Sequence, residues 1–227
     1  MTQNKYLETI YNHENKPFSE YPKKLIQYLI KRGNLKKNQK ILELGCGRGD
    51  FIFEFRNNGL DAYGCDISNF SQNFFPDLKF SKVDLEHNNL PYKNETFDIV
   101  YSKSFIEHFY YPEKIFQEAH RVLKPGGIII TLTPEWQYIY KSFYEDFTHR
   151  VPFTNESLKD IHLINNFKNV VVESFIQLPV LFEENAKSKL FYIASVLTRK
   201  LVPNSFRLKN KWIKFSKEVM LLSFAKK

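Results

Sequence analysis

Residues 41–51, ILELGCGRGDF, place three glycines within five positions directly behind a short apolar run. The run over residues 40–44 is typical of a buried strand, and the apolar pattern from Asp50 onward is typical of a helix that stops at Gly59. A glycine-rich turn between a strand and a helix lets backbone N–H groups and the positive end of the helix dipole approach a polar or anionic group. The stretch therefore predicts an α/β fold with a ligand-binding turn.

Short apolar runs alternate with helical patterns along the rest of the chain, and no internal repeat interrupts them. Strands that are separated by helices pair in parallel through right-handed crossovers, which produces a doubly wound sheet. We therefore predict the α/β class: a mostly parallel, seven-stranded, Rossmann-like sheet with helices on both faces and a basic helical insertion before the last strand. The predicted strands cover residues 40–44, 62–65, 78–83, 97–102, 128–132, 170–175 and 218–225.

The length of 227 residues and the hydrophobic content of 43% are those of one domain with additions. We expect a single domain in three parts. Residues 1–37 form an N-terminal helical cap, and residues 38–135 form the core that binds the ligand of the glycine-rich turn. Residues 136–227 form a substrate-side half, with the helical insertion at about 180–217.

Bulk composition excludes several classes of protein. The two cysteines, Cys46 and Cys65, cannot build a disulfide framework or a metal site on their own, and we interpret both as packing or turn residues. No apolar stretch is long enough to cross a bilayer, and the polar start of the chain has no signal-peptide core. We therefore expect a cytoplasmic protein. Its oligomeric state cannot be derived from these features.

The net charge of +8 has a local origin, because residues 185–217 contain no acidic residue. Apolar residues at helical spacing in this segment are interleaved with lysines and arginines, which predicts a basic amphipathic helix. Such a helix suits an anionic or lipid-linked substrate and peripheral contact with a membrane. Nucleic acid is not an expected partner, because no RNA-binding domain is added. An ordinary lid with a solvated basic face is the alternative.

In a doubly wound sheet, ligands bind beyond the carboxyl ends of the strands. Four predicted strand ends carry polar groups there, namely the glycine-rich turn, Asp66, Asp84 and Ser102. A dinucleotide would be bound by the spacing G-x-G-x-x-G, whereas the spacing here is G-x-G-x-G. In addition, Glu43 stands two places before the first glycine. The pattern therefore does not favour a nicotinamide or flavin dinucleotide.

From about residue 38 to residue 133 the sequence resembles the class I S-adenosylmethionine-dependent methyltransferases. Several motifs of that family occur here in order and at similar spacing. They are residues 43–49, Asp66, residues 83–85, residues 90–100, Glu107-His108 and residues 121–127.

The resemblance implies S-adenosylmethionine as cofactor and S-adenosylhomocysteine as product, without a metal. Asp66 would accept hydrogen bonds from both ribose hydroxyls, a charge-assisted arrangement. Asp84 would accept from the adenine amino group, and Glu43 would orient the amino acid tail beside the glycine turn. The implied cofactor-binding residues are Glu43, Gly45, Cys46, Gly47, Gly49, Asp66, Ile67, Asp84, Leu85 and Ser102.

Residues 144–154 follow the fifth predicted strand and are expected to lie over the same edge of the sheet. An oxygen acceptor is a poor nucleophile until a base removes its proton, whereas an amine needs only a free lone pair. We predict His149 as this base, with Asp146 orienting it, and Arg150 as a ligand for a phosphate or carboxylate of the substrate, beside Tyr144. The alternative is that these residues only hold a loop.

His108 is a second substrate-side candidate, although the resemblance favours a role in supporting the cofactor side or the fold. No two histidines have zinc-like spacing with a third ligand, so we expect no metal.

These patterns predict a methyltransferase that acts on an oxygen of a sugar, a glycan precursor or another anionic metabolite. An N-methyltransferase of an amino sugar or amine, an RNA methyltransferase and a non-catalytic cofactor-binding subunit are the alternatives.

Overall fold

A seven-stranded sheet lies at the centre of the computed structural model, which describes Thr9, residues 17–183 and residues 185–227. The strand order is β3-β2-β1-β4-β5-β7-β6. The strands are β1 Lys40–Leu44, β2 Asp61–Asp66, β3 Lys79–Lys82, β4 Phe97–Lys103, β5 Leu123–Pro134, β6 Lys168–Phe175 and β7 Met220–Lys226.

Strands β1 to β5 run parallel to one another, and β7 runs antiparallel to both β5 and β6. The α-helices with described bounds are α1 Tyr21–Gly33, α2 Asp50–Asn57, α3 Glu113–Val122, α4 Trp136–Ile139, α5 Asn155–Ile164, α6 Ala186–Leu201 and α7 Lys211–Lys217. The predicted doubly wound, mostly parallel sheet and all seven predicted strands are therefore confirmed.

Two hydrophobic layers cover the two faces of the sheet. One layer packs α1 and α2 against side chains such as Ile99 and Tyr101. The other packs α3 and α5 against side chains such as Val100. Successive residues of a strand point to opposite faces, so the unbroken apolar run of β4 fills both layers and all three of these side chains are fully buried.

The structure differs from the sequence prediction at two boundaries. Gly126 and Gly127, predicted to separate a helix from the fifth strand, lie inside β5, where the pairing with β4 shifts register after Phe97. Gly126 has φ +76°, so this bend needs a conformation that glycine adopts readily. The predicted helical insertion is divided, because its last residues, 211–217, form the separate helix α7, whose first turn Asn210 caps.

No helix among the described residues is long and apolar enough to cross a membrane. The predicted N-terminal cap lies largely outside the described residues; of that region, Thr9 and residues 17–37 are described, and they include α1.

Candidate functional site

The glycine turn after β1 is held against the end of β2. The backbone N–H groups of Gly45 and Cys46 both donate to the carbonyl oxygen of Cys65, at 2.9 and 3.1 Å. Gly45, Gly47 and Gly49 have φ values of +67°, +52° and +93°, which glycine adopts without strain. A Cβ at Gly45 would lie 2.1 Å from the Phe105 ring, whereas a Cβ at Gly47 would meet open space. The turn is therefore packed at Gly45 and accessible at Gly47.

Asp66, at the end of β2, connects the glycine turn to the turn that follows β2. Its Oδ2 accepts from the N–H of Gly47 and its Oδ1 from the N–H of Ser68, both at 2.9 Å. Burial raises the pKa of Asp66, although the amides of Ser68, Gly47 and Ile67 oppose this shift. A carboxylate has about four lone-pair sites, so each oxygen still has capacity for a further donor.

Glu43 lies buried on β1 beneath this turn. Its Oε2 has no hydrogen-bond partner among the described residues. Burial is the largest cause that raises the pKa of Glu43, the charge of Asp50 acts in the same direction, and the charge of Lys103 lowers it. An unpaired buried oxygen is unfavourable, so it indicates a group that a cationic ligand can satisfy.

Lys103, the last residue of β4, acts electrostatically on two buried carboxyl groups, those of Glu43 and Glu107. Burial raises the pKa of both Glu43 and Glu107, and the charge of Lys103 opposes both shifts. The ammonium lies 5.5 Å from the ring centre of Phe51 and 5.9 Å from that of Tyr21. Sequence analysis assigned Lys103 no role, although its position at a strand end was a usable signal.

Three other predicted cofactor residues have partners within the fold. The Asp84 carboxylate accepts from the N–H of Glu86 at 3.0 Å and lies 2.9 Å from Nδ1 of the exposed His87. Leu85 is buried in the core, and Ser102 is buried in β4, where it pairs with Leu44 and Thr131. The predicted adenine contact of Asp84 therefore requires that its carboxylate shares these partners or releases His87.

The loop after β5 is closed at its base and lies against the end of β4. The N–H of Trp136 donates to the carbonyl of Phe153 at 2.9 Å. The N–H groups of Arg150 and Val151 donate to the carbonyl of Glu107, at 2.8 and 3.1 Å. The loop is followed by α5, and Thr154 caps that helix. These bonds place residues 144–150 beside the segment that contains Glu107 and His108.

Asp146, which we predicted to orient His149, is bonded to Thr148 in this structure. Oδ1 of Asp146 accepts from the amide N–H and the hydroxyl of Thr148, at 3.0 and 2.5 Å. The Thr148 hydroxyl is in turn 2.9 Å from Nδ1 of His108. Because its only hydrogen is donated to Asp146, the hydroxyl accepts from His108. Asp146 thus orients His108 through Thr148, a local turn contact that the spacing did not reveal.

His149 is oriented by the backbone instead. Its Nδ1 lies 2.7 Å from the carbonyl oxygen of Phe143, so Nδ1 carries the hydrogen and Nε2 has the lone pair. The rings of His149 and His108 are 4.8 Å apart between centroids. Burial lowers the pKa of His108, although Asp146 opposes this shift, so His108 is held neutral near pH 7. The described bonds therefore place a hydrogen on Nδ1 of each ring.

Glu107 lies next to both rings and is fully buried. Its Oε2 accepts from the hydroxyl of Thr133 on β5 at 3.0 Å, and its Oε1 has no hydrogen-bond partner among the described residues. One donor atom from each of Glu107, His108 and His149 lies within 4.8 Å of the others. Chain spacing could not predict this cluster, because His149 comes from a different loop.

Arg150 and Tyr144 border the cluster on the outer side. Nη1 of Arg150 donates to the carbonyls of Phe147 and His149, at 2.7 and 3.0 Å, and the guanidinium lies 5.1 Å from the ring centre of Tyr110. Among the described residues, no hydrogen bond involves its Nε or Nη2, so these groups remain able to bind an anion. Tyr144 is exposed, and its ring meets that of Phe143 edge-on at 5.0 Å.

The comparisons found a matching family model and several relatives of this chain. A family model described as a methyltransferase domain matches residues 42–131. An uncharacterised protein of Methanocaldococcus jannaschii is 32% identical over 160 residues, which cover 70% of this chain and 68% of that protein. Phosphoethanolamine N-methyltransferase 3 of Arabidopsis thaliana is 30% identical over 158 residues, which cover 62% of this chain and 31% of that protein. This chain thus matches about a third of the Arabidopsis protein's length.

Other relatives are named as C-methyltransferases. Among solved structures, a SAM-dependent methyltransferase from Archaeoglobus fulgidus has the same fold, with a TM-score of 0.64 and 23% identity. That likeness covers 90% of this chain and 94% of the other. The region matched by the family model contains the glycine turn, Asp66, Asp84 and Glu107-His108, whereas His149 and α6 lie beyond it.

Proposed function

This chain belongs to the class I S-adenosylmethionine-dependent methyltransferase family, and we propose that it methylates an oxygen of a sugar, a glycan precursor or another anionic metabolite. In this reaction a lone pair of the acceptor oxygen forms the bond to the methyl carbon, and the carbon–sulfur bond breaks. S-adenosylhomocysteine then leaves. The proton of the acceptor hydroxyl passes to a base of the protein.

The orientation of His149 is the observation that carries the oxygen-acceptor proposal. Its Nδ1 donates to the Phe143 carbonyl, and this bond leaves Nε2 with a lone pair at a half-exposed position. General-base catalysis of this kind contributes about 10²–10⁴-fold to a rate. An amine acceptor would not need it. We therefore propose that Nε2 of His149 accepts the proton of the acceptor hydroxyl. Asp146 is then a positioning residue for His108.

The acceptor is proposed to be anionic because cationic groups border the cluster. Among the described residues, neither Nε nor Nη2 of Arg150 takes part in a hydrogen bond, and a guanidinium binds phosphate or carboxylate with two parallel hydrogen bonds. Lys103 adds positive charge on the inner side. Tyr144 would provide an exposed ring beside the acceptor.

We place the cofactor over the carboxyl ends of β1, β2 and β4. Asp66 would accept from the ribose hydroxyls, and the cofactor tail would pass Gly47, where space is open. The unpaired Oε2 of Glu43 would then face the ammonium of the tail. Asp84 and Leu85 keep their proposed adenine contacts. The remaining proposed cofactor residues are Gly45, Cys46, Gly49, Ile67 and Ser102.

Helix α6 supports a lipid-linked acceptor. Its polar Ser188 and Ser195 are buried, whereas four apolar side chains are between 50% and 75% exposed, an inversion of the usual order. Leu190, Ile193, Leu197 and Leu201 recur every three or four residues, so they form one stripe. The exposed lysines in and after the helix are Lys187, Lys189, Lys200, Lys209 and Lys211.

An apolar stripe bordered by lysines fits the surface of an anionic membrane, which we propose as the partner of α6. Not every cation of the segment is available. Arg207 pairs with Glu145 and Glu218, and Arg199 donates to the Ser216 carbonyl at 2.7 Å. The predicted basic face is therefore formed by lysines, while Arg207 ties the insertion to the rest of the chain and Arg199 links α6 to α7.

A phosphate-bearing amine is the second candidate acceptor. The Arabidopsis relative is named a phosphoethanolamine N-methyltransferase, and Arg150 suits the phosphate of such a molecule as well as that of a sugar phosphate. With this acceptor, the amine lone pair attacks directly and His149 becomes dispensable. Loss of turnover on changing His149 therefore separates the two candidates.

The acceptor can be identified by incubating the protein with isotope-labelled S-adenosylmethionine and a metabolite extract that includes the lipid fraction. Mass spectrometry then locates the labelled methyl group. We expect the label on an oxygen of an anionic sugar or sugar-lipid. Label on nitrogen would support the second candidate, and label in RNA would replace both. Cofactor binding without any labelled product would indicate a non-catalytic subunit.

A further inference from the structure

We propose that Glu107, His108 and His149 form a binding site for a divalent transition-metal ion such as Zn²⁺. The two imidazoles and the carboxylate come from two loops that meet at the carboxyl edge of the sheet. A catalytic use of this site rests on the proposed function. The binding of the ion does not rest on it and can be tested separately.

The two histidines have the arrangement that metal-binding histidines require. In each ring Nδ1 is bonded to an oxygen, that of the Thr148 hydroxyl for His108 and that of the Phe143 carbonyl for His149. Such bonds fix the tautomer and leave Nε2 as the ligand atom.

The buried carboxylate of Glu107 independently supports a cation site here. Glu107 is fully buried, and its Oε1 lacks a hydrogen-bond partner among the described residues while its Oε2 is held by Thr133. Leaving a buried acceptor unpaired is unfavourable, and more so for a charged group. A metal ion beside Oε1 would remove this cost.

Two histidines and one glutamate, with a fourth position left open, are a known ligand set for catalytic zinc. One possible donor atom of each residue lies within 4.8 Å of the others, whereas tetrahedral bonds of about 2.0–2.1 Å place ligand atoms about 3.4 Å apart. Metal binding would therefore draw the ligands together by up to about 1.4 Å. Both rings are partly exposed and Glu107 is fully buried, so most of this movement would fall to the rings.

Nearby charges moderate the affinity. Lys103 and Arg150 act electrostatically on Glu107 and His108, respectively, and both repel a cation. The carboxylate of Asp146, which is bonded to Thr148, attracts the ion. With the ion bound, His149 would be a ligand and not the proton acceptor; the ion would lower the pKa of the acceptor hydroxyl, and the hydroxyl proton would pass to solvent water.

Cobalt is the probe for this site, because four-coordinate Co²⁺ absorbs visible light and replaces Zn²⁺ in such ligand sets. Tag-free protein is treated with a chelator, dialysed and titrated with Co²⁺. We expect one equivalent to bind with visible absorption, and Zn²⁺ to displace it. No absorption and no saturable binding in equilibrium dialysis would overturn the proposal.

Variants locate the ion. His149→Ala and Glu107→Gln should each abolish the absorption or weaken Co²⁺ binding at least tenfold. His120→Gln, a change on α3 where the ring packs against Phe167 outside the cluster, is the matched control and should leave both unchanged. Circular dichroism verifies folding, and His108→Gln replaces Glu107→Gln if the buried change unfolds the chain. Unchanged Co²⁺ binding in the folded variants would place the ion elsewhere and reject the site.

Methyl transfer is measured separately, with and without chelator. If Co²⁺ does not bind and labelled product still forms, the metal proposal fails and the proposed function stands. If Co²⁺ binds with the expected absorption and no product forms with any acceptor, the proposed function fails and the metal site stands.

Discussion

The backbone N–H of Gly47 lies 2.9 Å from Oδ2 of Asp66 and donates to it, so the glycine turn after β1 is bonded to the end of β2. This one bond joins the two strongest sequence motifs of the chain. It also makes Asp66 responsible for the shape of the turn as well as for any contact with the ribose.

Replacing Asp66 by Ala should weaken S-adenosylmethionine binding by about 1.5–3 kcal/mol, the range for a hydrogen bond to a charged group. Isothermal titration measures the change. Asp61→Asn is the matched control, because Asp61 lies at the opposite end of β2 and contacts Lys79. Equal affinities for the Asp66 variant and the control would contradict the ribose role.

Two glycines of the same turn should respond differently to alanine. A Cβ at Gly45 would lie 2.1 Å from the ring of Phe105, so Gly45→Ala should lower the melting temperature strongly. Gly47→Ala meets open space and should cost about 1–2 kcal/mol for its left-handed conformation. It should also reduce cofactor affinity, because its methyl group enters the proposed binding space. Thermal unfolding and titration of both variants test this difference, and equal melting temperatures would argue against the packing at Gly45.

Replacing His149 by Ala should lower the turnover number for an oxygen acceptor by about 10²–10⁴-fold, because its Nε2 is the proposed proton acceptor. Cofactor affinity should not change. Steady-state kinetics with the identified acceptor provide the measurement, and His120→Gln is the control. Near-normal turnover would mean that the proton leaves by another route, as for an amine acceptor.

The apolar stripe of α6 should bind vesicles that contain phosphatidylserine and not neutral phosphatidylcholine vesicles. Introducing aspartate at Ile193 and Leu197 should abolish co-sedimentation by removing apolar area and repelling the anionic surface. Tyr192→Asp adds the same type of charge at an exposed position off the stripe and should have a smaller effect. Binding that does not depend on salt or lipid charge would speak against a basic membrane surface.

His162 should make stability depend on pH. It is buried between Phe116 and Phe167, and burial lowers its pKa from 6.5 to about 4. Above pH 6.5 the ring is neutral in the folded and unfolded states. As the pH falls from 6.5 towards 4, only the unfolded state gains the proton, so stability is lost.

Between pH 7 and pH 5 this loss should reach about 2 kcal/mol of the free energy of unfolding. Urea unfolding at the two pH values measures it. His162→Gln removes the titrating group and should therefore show a smaller loss over the same interval, even if it is less stable throughout. Identical pH dependence in both proteins would exclude His162 as the cause.

The fold was predictable because its determinants are local. The apolar run of β4, buried on both faces, and the helical spacing of α1 are visible in a few residues. The positive φ values of Gly45, Gly47 and Gly49 likewise follow from a turn that only glycine forms easily. Strand ends then identify Asp66 as part of the edge, because parallel strands meet there.

What the sequence by itself determined is therefore the sheet, its edge and the family to which the glycine turn belongs. Tertiary structure alone decided the pairings on that edge: Asp146 orients His108 through Thr148, and Glu107 meets His149 from another loop. Periodic patterns encode which face of an element is buried, since burial repeats along the chain. Contacts between separate loops have no such repeat, because they depend on how the backbone bonds of Glu107 hold the loop after β5 in place.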